Sequence, residues 1–390
     1  MRWARLAAGP TLNRLALNRP KGPLLHWSVT VPAVANASKL PATMRALVKE
    51  KAGTGLTLAQ APLPRIGPTD VLVKVKKAGI CGTDAHIWDW DKWSQSRIVP
   101  PVIVGHEFMG TVAAVGDAVR NVKVGDRVAA ESHISCGHCL LCRTGQEYIC
   151  ERVRILGIDR DGAFADYVAV PEHNIWKLDP AVPDEWAAVF DPLGNAVHTV
   201  MAAGVSAKSV VITGVGSIGL MAIPVARAAG AARVIAIDIN PDKLALAKKL
   251  GADEVFDART PDLHDKVYAI TGGHGADVLL EMSGSGAAIN QGLSMVRNGG
   301  RAALLGLPSD NVSMNLAENI IFKGLTVLGI NGRKMFETWY QMEAMVTAGR
   351  IDLKPIITHV LPLERYGEAF ELLKDGKAVK VVIDVNKGDA

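Results

Sequence analysis

Four of the chain's five cysteines lie within fifteen residues, at positions 136, 139, 142 and 150. Four thiolates this close can wrap one tetrahedral Zn²⁺ at Zn–S distances of about 2.3 Å, with no position left for water. Such a site is structural, because it holds a loop and offers nothing to a substrate. Disulfides are the alternative, but adjacent CxxCxxC thiols pair poorly and no long apolar signal core marks a secreted chain. We therefore predict that Cys136, Cys139, Cys142 and Cys150 bind a structural zinc ion.

The fifth cysteine, Cys81, stands alone in a Gly-Ile-Cys-Gly-Thr-Asp stretch, and Gly-His-Glu follows at positions 105–107. A thiolate, the imidazole of His106 and the carboxylate of Glu107 would together form an open, catalytic zinc site. Considered alone, His106 is more often a packed or surface histidine, and Cys81 a buried apolar residue. The zinc interpretation gains weight because a coenzyme motif occurs in the same chain.

Oxidation of an alcohol by hydride transfer requires that the hydroxyl proton leave first. Zinc can lower the pKa of a bound hydroxyl from about 16 to the order of 7. Thr83 and His86, two and five residues after Cys81, could relay that proton to water through a hydroxyl, a ribose and an imidazole. The alternatives are a turn-capping hydroxyl for Thr83 and a solvated surface ring for His86.

A glycine-rich motif follows a short, β-branched, mostly apolar stretch and precedes a helix-like one. In it, Gly214 permits the tight turn, Gly216 lets the backbone approach a pyrophosphate, and Gly219 allows close helix–sheet packing. Asp238 lies nineteen residues after Gly219, where a carboxylate accepts hydrogen bonds from ribose hydroxyls and repels a 2′-phosphate. The motif therefore predicts a dinucleotide site that prefers NAD to NADP, although Lys243 could soften that preference.

Two patterns of secondary structure divide the chain. Short strands separated by Gly/Asp turns are predicted at 44–49, 70–78, 110–115, 127–130 and 164–170. After about residue 195, strands at 210–213, 233–238, 254–257, 276–281, 300–305 and 326–329 alternate with helices at 220–229, 241–250, 263–271 and 287–296. Alternation of this kind predicts a parallel, doubly wound sheet. Two later helices and a strand at 380–385 would return to the first, β-rich part.

The charge of the chain is concentrated at its start. The net charge is +4, but residues 1–43 carry six basic and no acidic side chains, so 37 basic and 39 acidic groups leave the rest at −2. The body gives no reason to expect nucleic acid or an anionic membrane as a partner, and no apolar run is long enough to span a bilayer. Residues 1–43 fit either a mitochondrial targeting segment or an upstream extension, which we favour; either would be poorly ordered. We expect a cytoplasmic location, or a mitochondrial one if the segment is a targeting signal.

Five stretches carry a resemblance to a known family. They are CGTDAHIWDWDKWS (81–94), GHEFMG (105–110), ESHISC (131–136), FDPLGNAVH (190–198) and GRKMFETWY (332–340). With the motifs above, they are similar to the zinc-dependent medium-chain alcohol dehydrogenases over residues 44–386, and within that family to its L-threonine-oxidising branch. The resemblance implies an α/β fold with a GroES-like β-rich catalytic domain (44–193 and 340–390), a Rossmann doubly wound parallel sheet (194–339), and a homotetramer.

The resemblance also implies site residues. Cys81, His106 and Glu107 would gather at the catalytic zinc, and Asp191 occupies the slot of a further acidic ligand; whether Glu107 or Asp191 binds directly or through water stays open. His133 matches a histidine associated with substrate discrimination. The implied coenzyme-binding residues are Gly214, Gly216, Ile218, Gly219, Asp238, Lys243, Leu305, Gly306, Gly329 and Ile330.

The implied reaction is oxidation of the 3-hydroxyl of L-threonine by NAD to 2-amino-3-oxobutanoate, with two zinc ions per subunit and a CoA ligase as possible partner. A 2,3-butanediol or polyol dehydrogenase is the nearest alternative, and an NAD-binding scaffold without catalysis is another. Glu107, Asp191, His133 and Arg333 could supply charge for an amino acid. Three tryptophans would either wall the substrate pocket or pack in the cleft, namely Trp88, Trp90 and Trp93.

Overall fold

The computed structural model describes residues 40–386. The prediction of a poorly ordered segment at 1–43 therefore lies, up to residue 39, outside the described residues, as do the last four residues of the predicted catalytic domain. Within the described range, no helix combines the length and apolar character needed to cross a membrane.

The first part of the chain consists mainly of short strands, as the sequence predicted. Its strands are β1 (Thr43–Lys49), β2 (Thr57–Pro62), β3 (Asp70–Gly79), β4 (Val102–Ile103), β5 (Glu107–Val115), β6 (Arg127–Ala130), β7 (His133–Ile134), β8 (Arg154–Ile155), β9 (Tyr167–Pro171) and β10 (Ile175–Lys177). Its helices are α1 (Gly82–Asp89), α2 (Lys92–Arg97), α3 (Leu140–Arg143) and α4 (Asp184–Ala187).

β3 is the central strand of this part, because it pairs antiparallel with both β5 and β9. Val71, Val73 and Val75 alternate along it and are fully buried, but Leu72 between them is buried as well. The half-exposed strand predicted from its period-two pattern is therefore more buried than expected, since neighbouring strands and loops cover both of its faces.

The second part alternates strands and helices. It contains α5 (Phe190–Ala203), β11 (Ser209–Thr213), α6 (Ser217–Ala228), β12 (Arg233–Asp238), α7 (Pro241–Lys249), β13 (Glu254–Asp257), α8 (Leu263–Ile270), β14 (Ala276–Glu281), α9 (Gly286–Met295), β15 (Val296–Leu304) and β16 (Thr326–Gly329). The strands form one parallel sheet in the order β13-β12-β11-β14-β15-β16. The order reverses between β11 and β14, and in open sheets of this kind ligands bind at the carboxyl ends of the strands beside that reversal.

The chain ends with α10 (Glu337–Thr347), β17 (Ile357–Pro362), α11 (Tyr366–Lys374) and β18 (Lys380–Asp384). β18 pairs antiparallel with β3, so the chain does return to the first sheet, and β17 adds a parallel strand that the sequence pattern did not predict. The predicted boundary at 193–194 falls inside α5, a helix that contacts β5 on one side and β14 and β15 on the other. The domain limits stay a prediction.

A continuous apolar core connects the two parts. One buried cluster joins Met109 and Trp176 of the first part to Phe190 of α5, Val210 of β11 and Trp339 of α10. Close-packed interiors of this kind resist small displacements. Side chains that approach each other between the two parts are therefore held in fixed relative positions.

Candidate active site

Cys81, His106 and Glu107 meet where α1 and β5 begin. One potential ligand atom from each lies within 4.8 Å of the others. Cys81 is half-buried in extended backbone just before α1, while His106 and Glu107 are almost fully buried. Gly105 shapes the approach to His106, because its φ is +91° and a Cβ there would lie 2.6 Å from the ring of Phe164.

Asp84 links the thiolate and the imidazole. It is completely buried, and its Oδ2 accepts a hydrogen bond from the backbone N–H of Cys81 at 2.9 Å. Its Oδ1 lies 3.6 Å from Nδ1 of His106. A carboxylate behind an imidazole in this way orients the ring as a metal ligand and raises its basicity. Asp84 lies in the Cys-Gly-Thr-Asp stretch, but that motif did not predict a role for it.

The protonation of this group fits a metal site. Burial lowers the pKa of His106, but the charges of Asp84 and Cys81 outweigh burial and raise the pKa to about 10. Burial raises the pKa of Asp84, and the opposing effect of the His106 charge does not cancel this increase. A divalent cation would take the place of the proton that these anionic groups attract.

Lys380 approaches the same site from the start of β18. Its Nζ lies 2.5 Å from Oε2 of Glu107, and both side chains are almost fully buried. The ion pair lacks hydrogen-bond geometry, so neither carboxylate oxygen has a hydrogen-bond partner among the described residues. Nζ donates instead to the backbone carbonyl of Ile80 at 2.8 Å. Oε1 of Glu107, which has no hydrogen-bond partner among the described residues, forms with Cys81 and His106 a donor set that suits Zn²⁺.

Asp191, on α5, lies outside this three-residue group in the described structure. Its Oδ2 accepts from the hydroxyl of Ser132 at 2.8 Å, and its Oδ1 accepts from Nη1 of Arg333 at 2.7 Å. Both carboxylate oxygens therefore have protein partners. Asp191 occupies the position that the family resemblance assigns to a further acidic zinc ligand, but its contacts in the described structure are with Arg333 and Ser132.

Arg333 is the centre of a buried ion network. Its guanidinium donates to both carboxylate oxygens of Glu131, with Nε 2.8 Å from Oε2, and also to Asp191, Asn195 and Ser132. Burial raises the pKa of Glu131, but the charge and hydrogen bonds of Arg333 dominate and bring it to about 2. The three nitrogens of the guanidinium thus make five hydrogen bonds to protein groups, which leaves Arg333 unavailable to a substrate carboxylate.

His133 lies beside this network. Its backbone N–H donates to Oε1 of Glu131 at 2.9 Å, and the backbone of Gly332 approaches its ring so closely that a Cβ there would lie 2.8 Å from Cε1. Nδ1 of His133 has no hydrogen-bond partner among the described residues. Burial and the charge of Arg333 lower the pKa of His133, so the ring is neutral at pH 7.

Thr83 and His86 occupy the first two turns of α1. Oγ1 of Thr83 lies 3.7 Å from Sγ of Cys81, and the side chain that bonds the backbone at the start of the helix belongs to Asp84. His86 is exposed, with Nδ1 2.7 Å from Oδ2 of Asp91. Thr83 is therefore beside the half-buried thiol and His86 is at the surface, and their role as a proton relay stays a prediction.

The three nearby tryptophans have different surroundings. Trp88 stacks on Phe370 with ring centroids 4.7 Å apart, and Nζ of the buried Lys49 lies 4.9 Å from the ring of Trp90. Both therefore pack against the β-rich core. Trp93 is partly exposed and meets His86 edge to face.

The four clustered cysteines surround one point beside α3. Sγ of Cys139 lies 3.4 Å from Sγ of Cys142 and 3.8 Å from Sγ of Cys150, and Cys136 lies 3.9 Å from Cys142. These separations exclude disulfides, whose S–S length is about 2.05 Å. They match the edges of about 3.8 Å expected for a tetrahedron of thiolates around zinc. Hydrogen bonds from the amides of Cys142 and Glu151 lower the pKa of Cys139 to about 6.

The glycine motif forms the turn between β11 and α6. Gly214 has φ +82°, and a Cβ there would lie 2.6 Å from Cα of Ser283. Asp238 ends β12, where its Oδ2 accepts from the N–H of Val215 at 2.7 Å, so the carboxylate is tied to the motif. Gly216 immediately precedes α6 and Gly219 lies in its first turn, with Ile218 between them packed against the core. Lys243 lies in the first turn of α7.

The predicted nicotinamide loops follow the neighbouring strands β15 and β16. The N–H groups of Leu305 and Gly306 donate to the backbone oxygen of Glu281 at 2.9 and 3.1 Å. Gly329 ends β16, and the N–H of Ile330 donates to Leu304 O. These residues come together at the carboxyl edge of the sheet. Sequence reasoning missed Glu281, Glu131 and Lys380, whose partners are set by tertiary structure.

Comparisons with known proteins agree with this geometry. Residues 67–180 match the alcohol dehydrogenase GroES-like domain, and residues 217–348 match the zinc-binding dehydrogenase model. The L-threonine 3-dehydrogenase of Symbiobacterium thermophilum is 51% identical over 342 residues, which cover 87% of this chain and 97% of that one.

Two solved structures show the same fold. A zinc-binding dehydrogenase from Sinorhizobium meliloti 1021, bound to NADP, has a TM-score of 0.82 and 31% identity, covering 88% of this chain and 100% of that one. The 2R,3R-butanediol dehydrogenase of Bacillus subtilis has a TM-score of 0.80 and 27% identity over the same shares. The chain therefore belongs to the zinc-binding alcohol dehydrogenase family. It is an oxidoreductase, and the predicted GroES-like plus Rossmann fold is confirmed.

Proposed function

We propose that this member of the zinc-binding dehydrogenase family oxidises the 3-hydroxyl of L-threonine to 2-amino-3-oxobutanoate. The observation that carries the proposal is 51% identity to an L-threonine 3-dehydrogenase along 97% of that enzyme. The similarity to the butanediol dehydrogenase structure is weaker, at 27% identity. A substrate assignment on identity alone is an analogy, so the charges of the site must be consistent with it.

Cys81, His106 and Glu107 would hold the catalytic zinc, and Cys136, Cys139, Cys142 and Cys150 a structural one. A zinc ion at the first site would supply the Lewis acidity that lowers the pKa of the substrate hydroxyl, and bound NAD would supply the hydride acceptor. We assign Asp84 the task of orienting His106. Thr83 would accept the proton of the substrate hydroxyl at Oγ1 and give up its own hydroxyl proton to a ribose hydroxyl of the coenzyme, which would pass a proton to His86 and so to water.

The charge of the site is compatible with the ammonium group of an amino acid. With histidines neutral, five acidic groups face two cationic side chains, and one divalent ion leaves a single negative charge. The acidic groups are Cys81, Asp84, Glu107, Glu131 and Asp191, and the cations are Lys380 and Arg333. In a low-dielectric site this excess favours a substrate ammonium. The same excess disfavours the carboxylate of L-threonine, which would therefore have to lie away from these groups. We keep His133 as a residue of substrate discrimination, since its Nδ1 is unpartnered among the described residues.

We propose NAD rather than NADP as the coenzyme. The supporting observation is Asp238, whose carboxylate ends β12 beside the glycine motif and would repel a 2′-phosphate. The S. meliloti relative was solved with NADP, so this preference requires direct measurement. Lys243, in the first turn of α7, is the residue most able to weaken it.

We further propose a homotetramer. Exposed apolar side chains accumulate beside β16, which is the end strand of the six-stranded sheet; they include Leu316, Ile321, Phe322 and Val327. An unpaired, apolar sheet edge is a template for pairing with a second copy of the same strand, which would give a dimer; the tetramer itself rests on the family resemblance. A reducing, cytoplasmic location and transfer of the product to a CoA ligase stay predictions.

The first test is NADH formation, followed by absorbance, with L-threonine, 2,3-butanediol and sorbitol at matched concentrations and with added Zn²⁺. Selective turnover of L-threonine is expected. Turnover of a diol alone would overturn the substrate assignment and leave the fold and zinc sites untouched. The same assay with NADP in place of NAD tests the coenzyme preference.

A further inference from the structure

Glu281 is a buried carboxylate to which the proposed chemistry gives no role. It ends β14, next to the reversal in strand order, and its side chain is fully buried. Unlike Glu107 and Glu131, it forms no ion pair within residues 40–386. A buried carboxylate without a cation is costly unless hydrogen bonds to its charged form compensate. The burial of Glu281 therefore indicates that the groups hydrogen-bonded to its side chain have a structural or functional role.

The side-chain hydrogen bonds of Glu281 all hold one tight turn. Its Oε1 accepts from the N–H of Ser283 at 2.9 Å and also from the Ser283 hydroxyl, and both oxygens lie 3.2 Å from the N–H of Gly284. The Ser283 oxygen in turn accepts from the N–H of Ser285 at 3.0 Å. One carboxylate thus fixes the backbone of residues 283–285, which lead into α9.

That turn touches the glycine motif on one side. A Cβ on Gly214 would lie 2.6 Å from both Cα and Cβ of Ser283, so the two backbones are in close contact. The N–H of Met282 donates to the backbone oxygen of Thr213 at 2.8 Å. On this side the turn is therefore held to β11 by a backbone hydrogen bond that does not involve the Glu281 side chain.

On its other side the turn touches the loop after β15. Gly284 has φ +68°, and a Cβ there would lie 2.5 Å from the carbonyl oxygen of Leu307. A Cβ on Gly306 would lie 2.7 Å from Oε2 of Glu281 itself. The backbone oxygen of Glu281 accepts from the N–H groups of Leu305 and Gly306. Glu281 therefore contacts this loop through both its backbone and its side chain.

We propose that Glu281 is a positioning residue for the nicotinamide half of the dinucleotide, a role that rests on the coenzyme site proposed above. In a doubly wound sheet the two mononucleotide halves lie on opposite sides of the strand-order reversal. Asp238, on β12, marks the adenosine side. Glu281, on β14, and the loops after β15 and β16 are on the other side. Loosening the 283–285 turn would disorder the nicotinamide side and leave the adenosine side in place.

The test compares NADH with ADP-ribose, which lacks the nicotinamide nucleoside. Glu281→Gln keeps the shape of the side chain but places an NH₂ group opposite the N–H donors of the turn. We expect it to raise the Kd for NADH about tenfold. This factor corresponds to the free energy of roughly one charge-assisted hydrogen bond. We expect the Kd for ADP-ribose, measured by calorimetry, to change less than about twofold.

Asp277→Asn is the matched control, because Asp277 is a carboxylate at the opposite, N-terminal end of the same strand. It accepts from the N–H and hydroxyl of Ser209, far along the strand from the carboxyl edge. Its NADH to ADP-ribose affinity ratio should equal that of the parent. If Glu281→Gln weakens both ligands equally, or neither, the positioning role is wrong.

Ser283→Ala is a second variant that adds no buried amide, should Glu281→Gln fail to fold. It removes the hydroxyl bonded to Glu281 and is expected to shift the same affinity ratio in the same direction; an unchanged ratio would refute the proposal. The outcome is separable from that of the proposed function. A parent protein that binds no NADH refutes the coenzyme site, whereas normal NADH binding with unaltered variants refutes the role of Glu281 alone.

Discussion

Replacement of Arg333 by methionine is the perturbation for which the structure gives the largest energetic consequence. The substitution removes the guanidinium that neutralises Glu131 and Asp191 and keeps most of the side-chain volume. Breaking a buried ion pair by removing one partner costs about 3–5 kcal/mol, because the remaining charge is left uncompensated. The pKa of Glu131 leads to a similar figure. A decrease from the ordinary 4.5 to about 2 corresponds to about 3 kcal/mol, at about 1.4 kcal/mol per tenfold change in proton affinity.

The loss should depend on pH in a defined direction. The pKa of Glu131 is lower in the folded than in the unfolded chain, so its stabilising contribution is present above about 4.5 and disappears as pH falls towards about 2. Arg333→Met removes the cause of this low pKa. The difference in unfolding free energy between parent and variant should therefore be about 3 kcal/mol at pH 7 and about 1 kcal/mol at pH 3.

The measurement is urea unfolding followed by tryptophan fluorescence at pH 7 and at pH 3. Arg365→Met is the control, because Arg365 pairs with Glu368 on an exposed surface one helical turn away, and exposed pairs contribute less than about 1 kcal/mol. A loss below about 1 kcal/mol for Arg333→Met at pH 7, or a loss equal at both pH values, would show that the network does not carry the assigned electrostatic energy.

Three further substitutions test the metal sites. Cys81→Ser should abolish turnover and leave NADH binding and the circular dichroism spectrum intact; turnover near the parent rate would contradict a catalytic zinc at Cys81. Cys142→Ser should lower the unfolding temperature and should reduce the zinc content by one ion per chain. Unchanged values of both would refute the structural site. Asp84→Asn should weaken the catalytic zinc about 10- to 100-fold in chelator competition, because His106 loses its orienting carboxylate; the Cys136 site, whose zinc affinity should stay at the parent value, is the internal control.

Local patterns predicted much of the fold because their physical causes are local. Alternation of strands and helices after residue 195 predicted the parallel sheet, and strands such as β12 and β14 begin and end at the predicted residues. The four clustered cysteines and the turn after β11 were predicted for the same reason, since short spacing fixes the geometry. The burial of β3 was predicted less well, because the depth at which a strand is buried depends on the strands and loops that pack against it from elsewhere in the chain.

The partners of the buried charges depend on distant parts of the chain. Lys380 reaches Glu107 because β18 pairs with β3, a register that no residue near Glu107 specifies. The expectation that Arg333 supplies charge to a substrate is not supported by its contacts, because Glu131 and Asp191 occupy its guanidinium. A charged residue in a motif indicates that charge is needed there. The sequence alone does not distinguish a substrate from a side chain as its partner.

Both buried cations of the site lie late in the chain, after the last strand of the parallel sheet. Arg333 follows β16 and Lys380 begins β18, whereas the carboxylates they neutralise, Glu107, Glu131 and Asp191, all precede β11. Until the later elements dock, Glu107 and Glu131 of the first part and Asp191 of α5 could be buried only without these cations, at a cost of several kcal/mol each. Docking of the loop after β16 and of β18 therefore completes the proposed zinc site electrostatically. It follows that the site cannot be assembled by the β-rich part alone, even though that part carries the cysteine, the histidine and the glutamate that would bind the metal.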